Sequence, residues 1–467
     1  MKGLIRLAAL LALLLQAVPA PAGGLPAAGP LAFGPFGELI LRGRQTDPSM
    51  VAIVLSDDSG WDKTEEELAR VAGEAGALVA GVDVQRYFAN VARENYEPNV
   101  SLELESMSKY VQKSLGLPRL TAPLLIGHGA GAGIVYASLV QAPAGTFPAG
   151  VSLGFRPELK LTQPFGFGRG LTWTRTAGGV RYEPFAKAEL PWTVVQAQND
   201  PVFPESALRG FTDGMKGVRL KILPDATDYA DTAMWRDIVR EAVEAHVQHE
   251  PDLNAGHRGD VDDLPLVEVP AEGQASDTLA VFVTGDGGWA GIDKDIAALL
   301  AKSGVGVVGL DSMKYFWTRR TPQGAGADLS RIMRHYLAAW GSKRVVLIGF
   351  SLGADALPPM VNNLPPDLRG TVRQISLLAP SRFVELEFHV SDWLHDDEAA
   401  QDIALLPEVR KLAPIPLLCL HGQEEESSLC RELGPDEATI VTLPGSHHFN
   451  GDYTRVAALI LDHLRKF

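Results

Sequence analysis

Basic residues are scarce in this sequence, which has 42 Lys and Arg against 57 Asp and Glu and a formal charge of −15. Proteins that bind nucleic acids need clustered cations to neutralise phosphates, so this balance argues against a nucleic-acid partner. Of the 467 residues, 46% are hydrophobic, which fits a globular protein with about two cores rather than a disordered chain.

Long apolar runs are also lacking. Beyond the N-terminus, no segment approaches the roughly 20 apolar residues that a membrane-spanning helix requires. At the N-terminus, Lys2 and Arg6 precede an apolar run at 7–18, and Ala20-Pro21-Ala22 then offers the small residues that signal peptidases recognise. The sequence therefore predicts a cleavable signal peptide at 1–22 and export to the periplasm. An uncleaved anchor is the alternative, but the run is short for one.

Cysteine is nearly absent, and Cys419 and Cys430 are the two that occur. Disulfides persist in the periplasm, so export favours a bond between them over two free buried thiols. His447 and His448 could also be structural or a metal-binding pair, but no Cys or acidic cluster lies near them at the spacing of metal ligands. We therefore expect neither a metal nor a cofactor.

The chain repeats itself. Four landmarks of the first half recur in the same order in the second half, namely 51–61 in 279–289, 125–131 in 347–353, 191–200 in 416–425, and 223–224 in 443–444. Repetition on this scale predicts two copies of one fold. We expect domains at 31–250 and 264–467, joined by a linker at 251–263 that is rich in acidic residues, Pro and Gly.

Within each copy, short β-branched apolar runs alternate with amphipathic stretches, which predicts βαβ units. Fully apolar strands are typical of a parallel sheet covered on both faces. The predicted class is therefore α/β, with a doubly wound and mostly parallel sheet in each domain. Active sites in such sheets form at the carboxyl ends of the strands.

The motif Gly349-Phe350-Ser351-Leu352-Gly353 follows a predicted strand at 344–348 and precedes a predicted helix at 354–363. This context is typical of the nucleophile elbow of α/β-hydrolases, where a sharp turn pushes a serine hydroxyl out of the sheet. The sequence predicts Ser351 as a nucleophile, against the alternative of a glycine-rich turn.

A serine hydroxyl needs an imidazole base, which in this fold follows the last strand. The predicted strand at 439–443 is followed by His447 and His448, and the spacing to the next aromatic residue favours His447. His448 is the alternative.

The acid that orients the base should follow the preceding strand, where Glu424, Glu425 and Glu426 stand in a row. In the alignment of the two copies Asp200 falls opposite Glu425, which favours Glu425 over Glu426. The remaining interpretation is a solvated acidic loop without a catalytic role.

An oxyanion hole would use the N–H of Leu352 and a second N–H from the glycine-rich loop at 284–289, donated by Asp286 or Gly287. A phosphate-binding loop would need Lys followed by Ser or Thr after the glycines, which this loop lacks. The first copy has Gly129 and Thr227 at the positions of Ser351 and His447, so it is predicted to be a degenerate α/β-hydrolase-like domain without a nucleophile.

These motifs resemble those of the bacterial virulence protein family VirJ/AcvB, in the segments Gly285–Trp289, Gly349–Pro358, Phe388–Leu394 and Pro444–Tyr453. The two-domain AcvB type resembles nearly all of the chain after the predicted signal peptide.

The resemblance implies a periplasmic serine hydrolase that removes the aminoacyl group, typically lysyl, from aminoacylated phosphatidylglycerol. It also implies links to virulence, to membrane lipid homeostasis and to proteins of type IV secretion systems. The alternatives are a general carboxylesterase or thioesterase, and a non-catalytic periplasmic adaptor.

Residues 381–401 lie between two predicted strands and are expected to cap the site. Phe388 and Trp393 would contact acyl chains or the bilayer, Asp392 would receive a cationic head group, and Trp289 would also contact substrate. The alternative is a packed surface helix with an acidic face. The sequence does not predict an oligomeric state.

Overall fold

A computed structural model describes residues 30–143, 145–166, 168, 170–247, 259–289, 291–388 and 403–467. The predicted signal peptide and most of the predicted linker lie outside these residues. The described chain forms two domains, each built on a seven-stranded sheet with helices on both faces.

The first domain contains the strands β1 (Ala32–Phe33), β2 (Gly37–Glu38), β3 (Ile40–Gly43), β4 (Met50–Leu55), β5 (Ala77–Val82), β6 (Leu124–His128), β7 (Gly150–Leu153), β8 (Glu158–Leu159), β9 (Trp173–Thr176), β10 (Gly179–Tyr182), β11 (Glu189–Ala197) and β12 (Lys216–Leu223). Its helices are α1 (Lys63–Glu74), α2 (Val84–Glu94), α3 (Val100–Ser114), α4 (Ala130–Gln141), α5 (Glu205–Thr212) and α6 (Arg236–Val247).

The second domain contains the strands β13 (Leu266–Val269), β14 (Thr278–Val283), β15 (Gly306–Leu310), β16 (Arg344–Phe350), β17 (Val372–Leu378), β18 (Phe383–Val384), β19 (Ile403–Ala404), β20 (Leu417–Gly422) and β21 (Thr439–Leu443). Its helices are α7 (Gly291–Lys302), α8 (Ser312–Tyr315), α9 (Pro322–Ala339), α10 (Leu352–Asn362), α11 (Pro366–Arg369), α12 (Leu405–Arg410) and α13 (Tyr453–Leu464).

The two large sheets have the same topology. Their strand orders are β3-β5-β4-β6-β7-β11-β12 and β13-β15-β14-β16-β17-β20-β21, and in each the first edge strand is antiparallel while the other neighbours are parallel. The central strands β4 and β14 are buried along their whole length, because helices cover both faces of each sheet. The prediction of two tandem α/β domains is therefore confirmed.

Residues 259–263, which the sequence assigned to the linker, pack against the second domain. Val261 is fully buried there, and the Arg331 guanidinium on α9 contacts the Asp260 carbonyl and the Asp263 carboxylate. None of the described helices combines the length and apolar character needed to cross a bilayer.

The domains contact each other through the C-terminal end of α3 and the loop after α8. The Lys113 Nζ donates to the Trp317 carbonyl (2.7 Å) and pairs with Glu387 (2.9 Å). The indole N–H of Trp317 donates to the Leu117 carbonyl (2.7 Å), and this tryptophan is 1% exposed. A buried indole that spans the interface indicates a specific contact between the domains.

Candidate active site

Ser351 occupies the bend between β16 and α10. Its backbone has φ 52° and ψ −123°, and its N–H donates to the Leu378 carbonyl at 2.9 Å. A positive φ is uncommon for a residue with a side chain, and such strain is typical of functional turns. The bend leaves the serine half-buried at the carboxyl end of the central strand.

The flanking glycines are required by close backbone contacts. A Cβ on Gly349 would lie 2.4 Å from the Gly353 carbonyl oxygen, and a Cβ on Gly353 would lie 2.0 Å from the Val283 carbonyl oxygen. Both distances are far below van der Waals contact. The sharp turn predicted for this motif therefore requires glycine at both positions.

His447 and Glu425 form a hydrogen-bonded pair. The His447 Nδ1 lies 2.7 Å from Glu425 Oε1, and the second carboxylate oxygen accepts the Gly422 N–H at 2.7 Å. The Glu425 side chain is 14% exposed, whereas Glu426 is exposed to solvent. The structure thus brings Glu425, and not Glu426, to the imidazole.

The pair favours an imidazolium and a carboxylate. The hydrogen bond to Glu425 raises the pKa of His447 although burial opposes it, and the charges of Asp286 and Asp355 add to the increase. Burial would raise the pKa of Glu425, but hydrogen bonds from His447 and the Gly422 N–H outweigh it and lower that pKa. This is the electrostatic arrangement that a catalytic acid gives to a general base.

Both imidazoles lie beside the elbow. The Phe350 ring, adjacent to Ser351, has its centroid 5.1 Å from that of His447 and 5.5 Å from that of His448. Within the described residues the Nε2 of His447 forms no hydrogen bond. His448 is more exposed than His447, and its partial burial and the charge of the nearby His447 lower its pKa. His447 is therefore the histidine that has a carboxylate partner.

The glycine-rich loop borders Ser351, the predicted nucleophile. A Cβ on Gly285 would lie 3.5 Å from the Ser351 Cβ, and the loop turns through a hydrogen bond from the Gly288 N–H to the Gly285 carbonyl (3.1 Å). Asp286 and Gly287 occupy the tip of this turn. The N–H of Leu352 belongs to the first turn of α10, where helix N–H groups lack intrahelical partners. The predicted oxyanion donors thus belong to two segments next to the serine, the start of α10 and the turn at Asp286 and Gly287.

Cys419 and Cys430 form a disulfide that closes the loop carrying Glu425. The Arg431 guanidinium donates to the carbonyls of Glu425 (2.8 Å) and Gln423 (2.9 Å) in the same loop. These contacts limit the movement of the acid relative to His447.

Asp355 is a site residue that the sequence motifs did not indicate. It lies on the first turn of α10, and burial raises its pKa to about 7 despite a hydrogen bond from the Ser381 N–H (2.7 Å). An aspartate in an otherwise apolar helix, four residues after the nucleophile, was the available signal. Asp355 lies near enough to His447 for its charge to contribute to the raised pKa of that imidazole.

The predicted substrate-contacting residues are placed unevenly. The ring of Phe388 is 4% exposed and stacks on Trp317 with a centroid distance of 5.8 Å, so it packs internally and has little surface for an acyl chain. The half-buried Trp289 covers Gly309, where a Cβ would lie 2.1 Å from the indole. Asp392 and Trp393 lie outside the described residues. In the part of the chain that the structure describes, no group of three or more metal-ligating side chains is present.

Several solved structures are similar to part of the chain. An α/β serine hydrolase homologue from Coxiella burnetii is 17% identical over 43% of this chain and 90% of its own, with a TM-score of 0.32. MenH from S. aureus is 14% identical over 43% of this chain and 98% of its own, with a TM-score of 0.34. An esterase domain from Rhodothermus marinus is 14% identical over 43% and 91%, with a TM-score of 0.30.

A comparison with curated protein sequences found no match. The family model described as bacterial virulence protein (VirJ) matches two regions of the chain, residues 49–147 and 277–467. The first region lies in the first domain and the second region spans the elbow and the Glu425–His447 pair. The chain therefore belongs to the bacterial virulence protein (VirJ) family.

Proposed function

We propose that the second domain hydrolyses carboxylic esters, with Ser351 as nucleophile, His447 as general base and Glu425 as the acid that orients it. The observation that carries this proposal is the 2.7 Å hydrogen bond between His447 and Glu425, beside a serine held at positive φ in a nucleophile elbow.

The reaction would proceed in two halves. The Ser351 Oγ attacks the ester carbonyl while the His447 Nε2 takes the proton of this hydroxyl. Glu425 stabilises the resulting imidazolium through its hydrogen bond to Nδ1. The N–H of Leu352 and an N–H of the Asp286–Gly287 turn would bind the oxyanion. The intermediate collapses as His447 gives the proton to the leaving alcohol. Water then attacks the acyl-serine, again with His447 as the general base. This step releases the carboxylic acid product and restores the Ser351 hydroxyl.

For the substrate we propose the aminoacyl ester of aminoacylated phosphatidylglycerol, with lysyl as the aminoacyl group, and for the location the periplasm. Membership of the VirJ family supports this choice. The disulfide between Cys419 and Cys430 is a bond that persists in an oxidising compartment. A chain with a net charge of −15 also attracts the ammonium groups of a lysyl ester.

The test is lysine release from vesicles that contain lysyl-phosphatidylglycerol. Ser351→Ala is expected to lower the rate at least about 10³-fold, because no other group supplies the acyl-accepting oxygen. Ser303→Ala is the matched control, since Ser303 directly follows α7 and its exposed hydroxyl bonds only to the Leu299 carbonyl of that helix (3.0 Å). Turnover retained by Ser351→Ala would refute the nucleophile.

The same assay separates the other functions. Hydrolysis of a simple p-nitrophenyl ester without release of lysine would indicate a general esterase. A wild-type protein that hydrolyses neither substrate would indicate a non-catalytic adaptor.

A further inference from the structure

The two domains enclose a cleft of about 1490 Å³. The first domain contributes the amino ends of its central strands, including Pro123, Gly150 and Trp192. The second domain contributes segments that follow the carboxyl ends of β14 and β15, including Trp289 in a loop and Met313 on α8. The first domain therefore forms a wall above the edge of the sheet where the second domain carries its site. We call this space the interdomain cleft.

The interdomain cleft reaches the candidate oxyanion loop. Gly287 and Gly288 line it, and Gly285 of the same turn borders Ser351, since a Cβ on Gly285 would lie 3.5 Å from the serine Cβ. A ligand bound in the cleft would thus extend toward the nucleophile. The volume exceeds the roughly 300–1,000 Å³ of a small-molecule site, which leaves room for a head group and the start of an acyl chain.

The charge of the cleft is opposite to that of the protein. Its lining contains six basic side chains, Lys109, Arg119, Lys187, Arg219, Lys294 and Lys314, and three carboxylates, Glu105, Glu189 and Asp311. Two of the carboxylates are paired, Glu105 with Lys109 at 2.7 Å and Asp311 with Lys314 at 3.9 Å. A cationic cleft on a chain of net charge −15 is a local concentration of positive potential.

The remaining cations are available to a ligand. Arg119, Lys187, Arg219 and Lys294 are exposed, and none of them has an ion-pair partner within the described residues. Three of these four belong to the first domain. That domain has no serine at its elbow, so a binding contribution gives it a role in the reaction of its neighbour.

We propose that the interdomain cleft binds the phosphate diester of an amphiphilic ester whose acyl bond lies at Ser351, and that the first domain supplies most of the cations. The inference rests on the proposed function for the position of the ester, but the binding of the diester does not depend on turnover. The half-buried Trp289 provides apolar surface beside the cations, which suits a lipid head group better than a free phosphate ion.

The experiment measures binding to the full chain carrying Ser351→Ala, so that hydrolysis does not interfere. Glycerophosphoglycerol is titrated by calorimetry in low salt, and inorganic phosphate is titrated in parallel. The cleft variant combines Arg119→Gln, Lys187→Gln and Arg219→Gln. Its affinity for glycerophosphoglycerol is expected to fall about tenfold, because three screened charges are lost together.

The matched control combines Lys63→Gln, Lys302→Gln and Lys466→Gln. These lysines are exposed and lie outside the cleft lining, and replacing them removes the same total charge as the cleft variant. The control is expected to keep the parental affinity. Equal losses in the two triple variants would overturn the proposal, because they would show an effect of net charge alone. Unchanged thermal unfolding midpoints verify that both variants are folded.

Two further arms identify the source of the phosphate. Sedimentation with phosphatidylglycerol vesicles, against phosphatidylcholine vesicles, should show the same loss in the cleft variant. Binding of inorganic phosphate without binding of glycerophosphoglycerol would assign the cleft to free phosphate and overturn the head-group assignment. Binding to vesicles without binding to the soluble diester would indicate a flat membrane contact, and would also overturn it.

The outcome is independent of the proposed function. If the wild type releases no lysine but the cleft variant loses diester affinity, the substrate assignment fails and the cleft remains a phosphate site. If lysine is released and diester affinity is equal in all variants, the cleft proposal fails and the esterase stands.

Discussion

The two elbows of this chain have nearly the same backbone angles but differ in the side chains that surround them. Gly129 in the first domain has φ 55° and ψ −111°, against 52° and −123° for Ser351. A Cβ at Gly129 would lie 2.3 Å from the Asp57 carboxylate, and that carboxylate accepts the N–H of Ala130 at 2.8 Å. Asp57 thus fills the space that a nucleophile side chain at position 129 would need. It also accepts the Ala130 N–H, which corresponds to the N–H that would bind an oxyanion.

The second domain has Gly285 where the first has Asp57, so it has no side chain at that position to accept from the corresponding donor, the Leu352 N–H. In the first domain Arg156 contacts Asp57 and also pairs with Asp58 (2.9 Å), which holds the carboxylate in place. The comparison teaches that the sharp turn depends on backbone packing, while catalytic competence depends on a few side chains around it.

The acid positions differ in the same manner. Asp200, the counterpart of Glu425, accepts the Tyr229 hydroxyl at 2.7 Å and the N–H groups of Val202 (2.8 Å) and Phe203 (3.0 Å). The first domain also has an imidazole paired with a carboxylate, His128 with Glu65 (2.7 Å), but His128 stands at the position of Phe350. The imidazole of the first domain therefore pairs with Glu65, while Asp200 accepts from Tyr229 and from backbone N–H groups.

The largest contrast is expected between Glu425→Gln and Asp200→Asn. A glutamine at 425 no longer fixes the imidazole tautomer or stabilises the imidazolium, so kcat should fall by roughly 10²–10⁴-fold. Asp200→Asn should leave kcat per folded molecule unchanged, because Asp200 contacts Tyr229 instead of a base.

The pH dependence of kcat/KM gives the second readout for this pair. The proposed mechanism requires a neutral His447, and Glu425 raises the pKa of this residue above the ordinary value of 6.5. Activity should therefore be lost as the pH falls through that raised pKa. Removing the carboxylate should move the acid limb to lower pH. An unchanged limb in Glu425→Gln, or a shifted limb in Asp200→Asn, would contradict the assignment.

The next contrast transfers the blocking carboxylate to the second domain. Gly285→Asp should compete for the Leu352 N–H, as Asp57 does for Ala130, and lower kcat by about 10²–10³-fold with little change in folding. Gly285→Ala measures the steric share alone, since the new Cβ would lie 3.1 Å from the Phe350 ring. Steady-state kinetics on a soluble ester are the measurement, and equal losses in the two variants would exclude a blocked oxyanion hole.

The strands, the sharp turns and the candidate acid could be predicted from the sequence, because the patterns that indicate them are local. Glycines around a sharp turn, apolar strands and repeated landmarks specify the topology of both sheets. The repeat also favoured Glu425 among three adjacent glutamates, and the structure brings this residue to His447.

Long-range packing was beyond the sequence patterns. Phe388 was expected to contact substrate, but it is buried against Trp317, whose indole bonds to the other domain. The role of Asp57 depends on a turn that folds back onto Gly129 more than seventy residues later, as its contact with Ala130 shows. The interdomain cleft depends on how the two domains are placed relative to each other. The periodicity of a single strand or helix does not predict that placement.

The smallest expected effect concerns Asp355, which is replaced by Gly133 in the first domain. When ionised, Asp355 raises the pKa of His447, but it contributes less than Glu425 or Asp286. Asp355→Asn removes the charge and keeps an oxygen that can accept the Ser381 N–H, so the fold and most of kcat, within about tenfold, should be retained.

The acid limb of kcat/KM in Asp355→Asn should therefore move to lower pH, and by less than in Glu425→Gln. Asp355→Ala serves as the comparison, because it removes the Ser381 contact together with the charge. If Asn leaves the limb in place while Ala lowers kcat, Asp355 acts by holding Ser381. If both variants shift the limb equally, the charge of the buried Asp355 carboxyl, whose pKa burial raises to about 7, acts on His447.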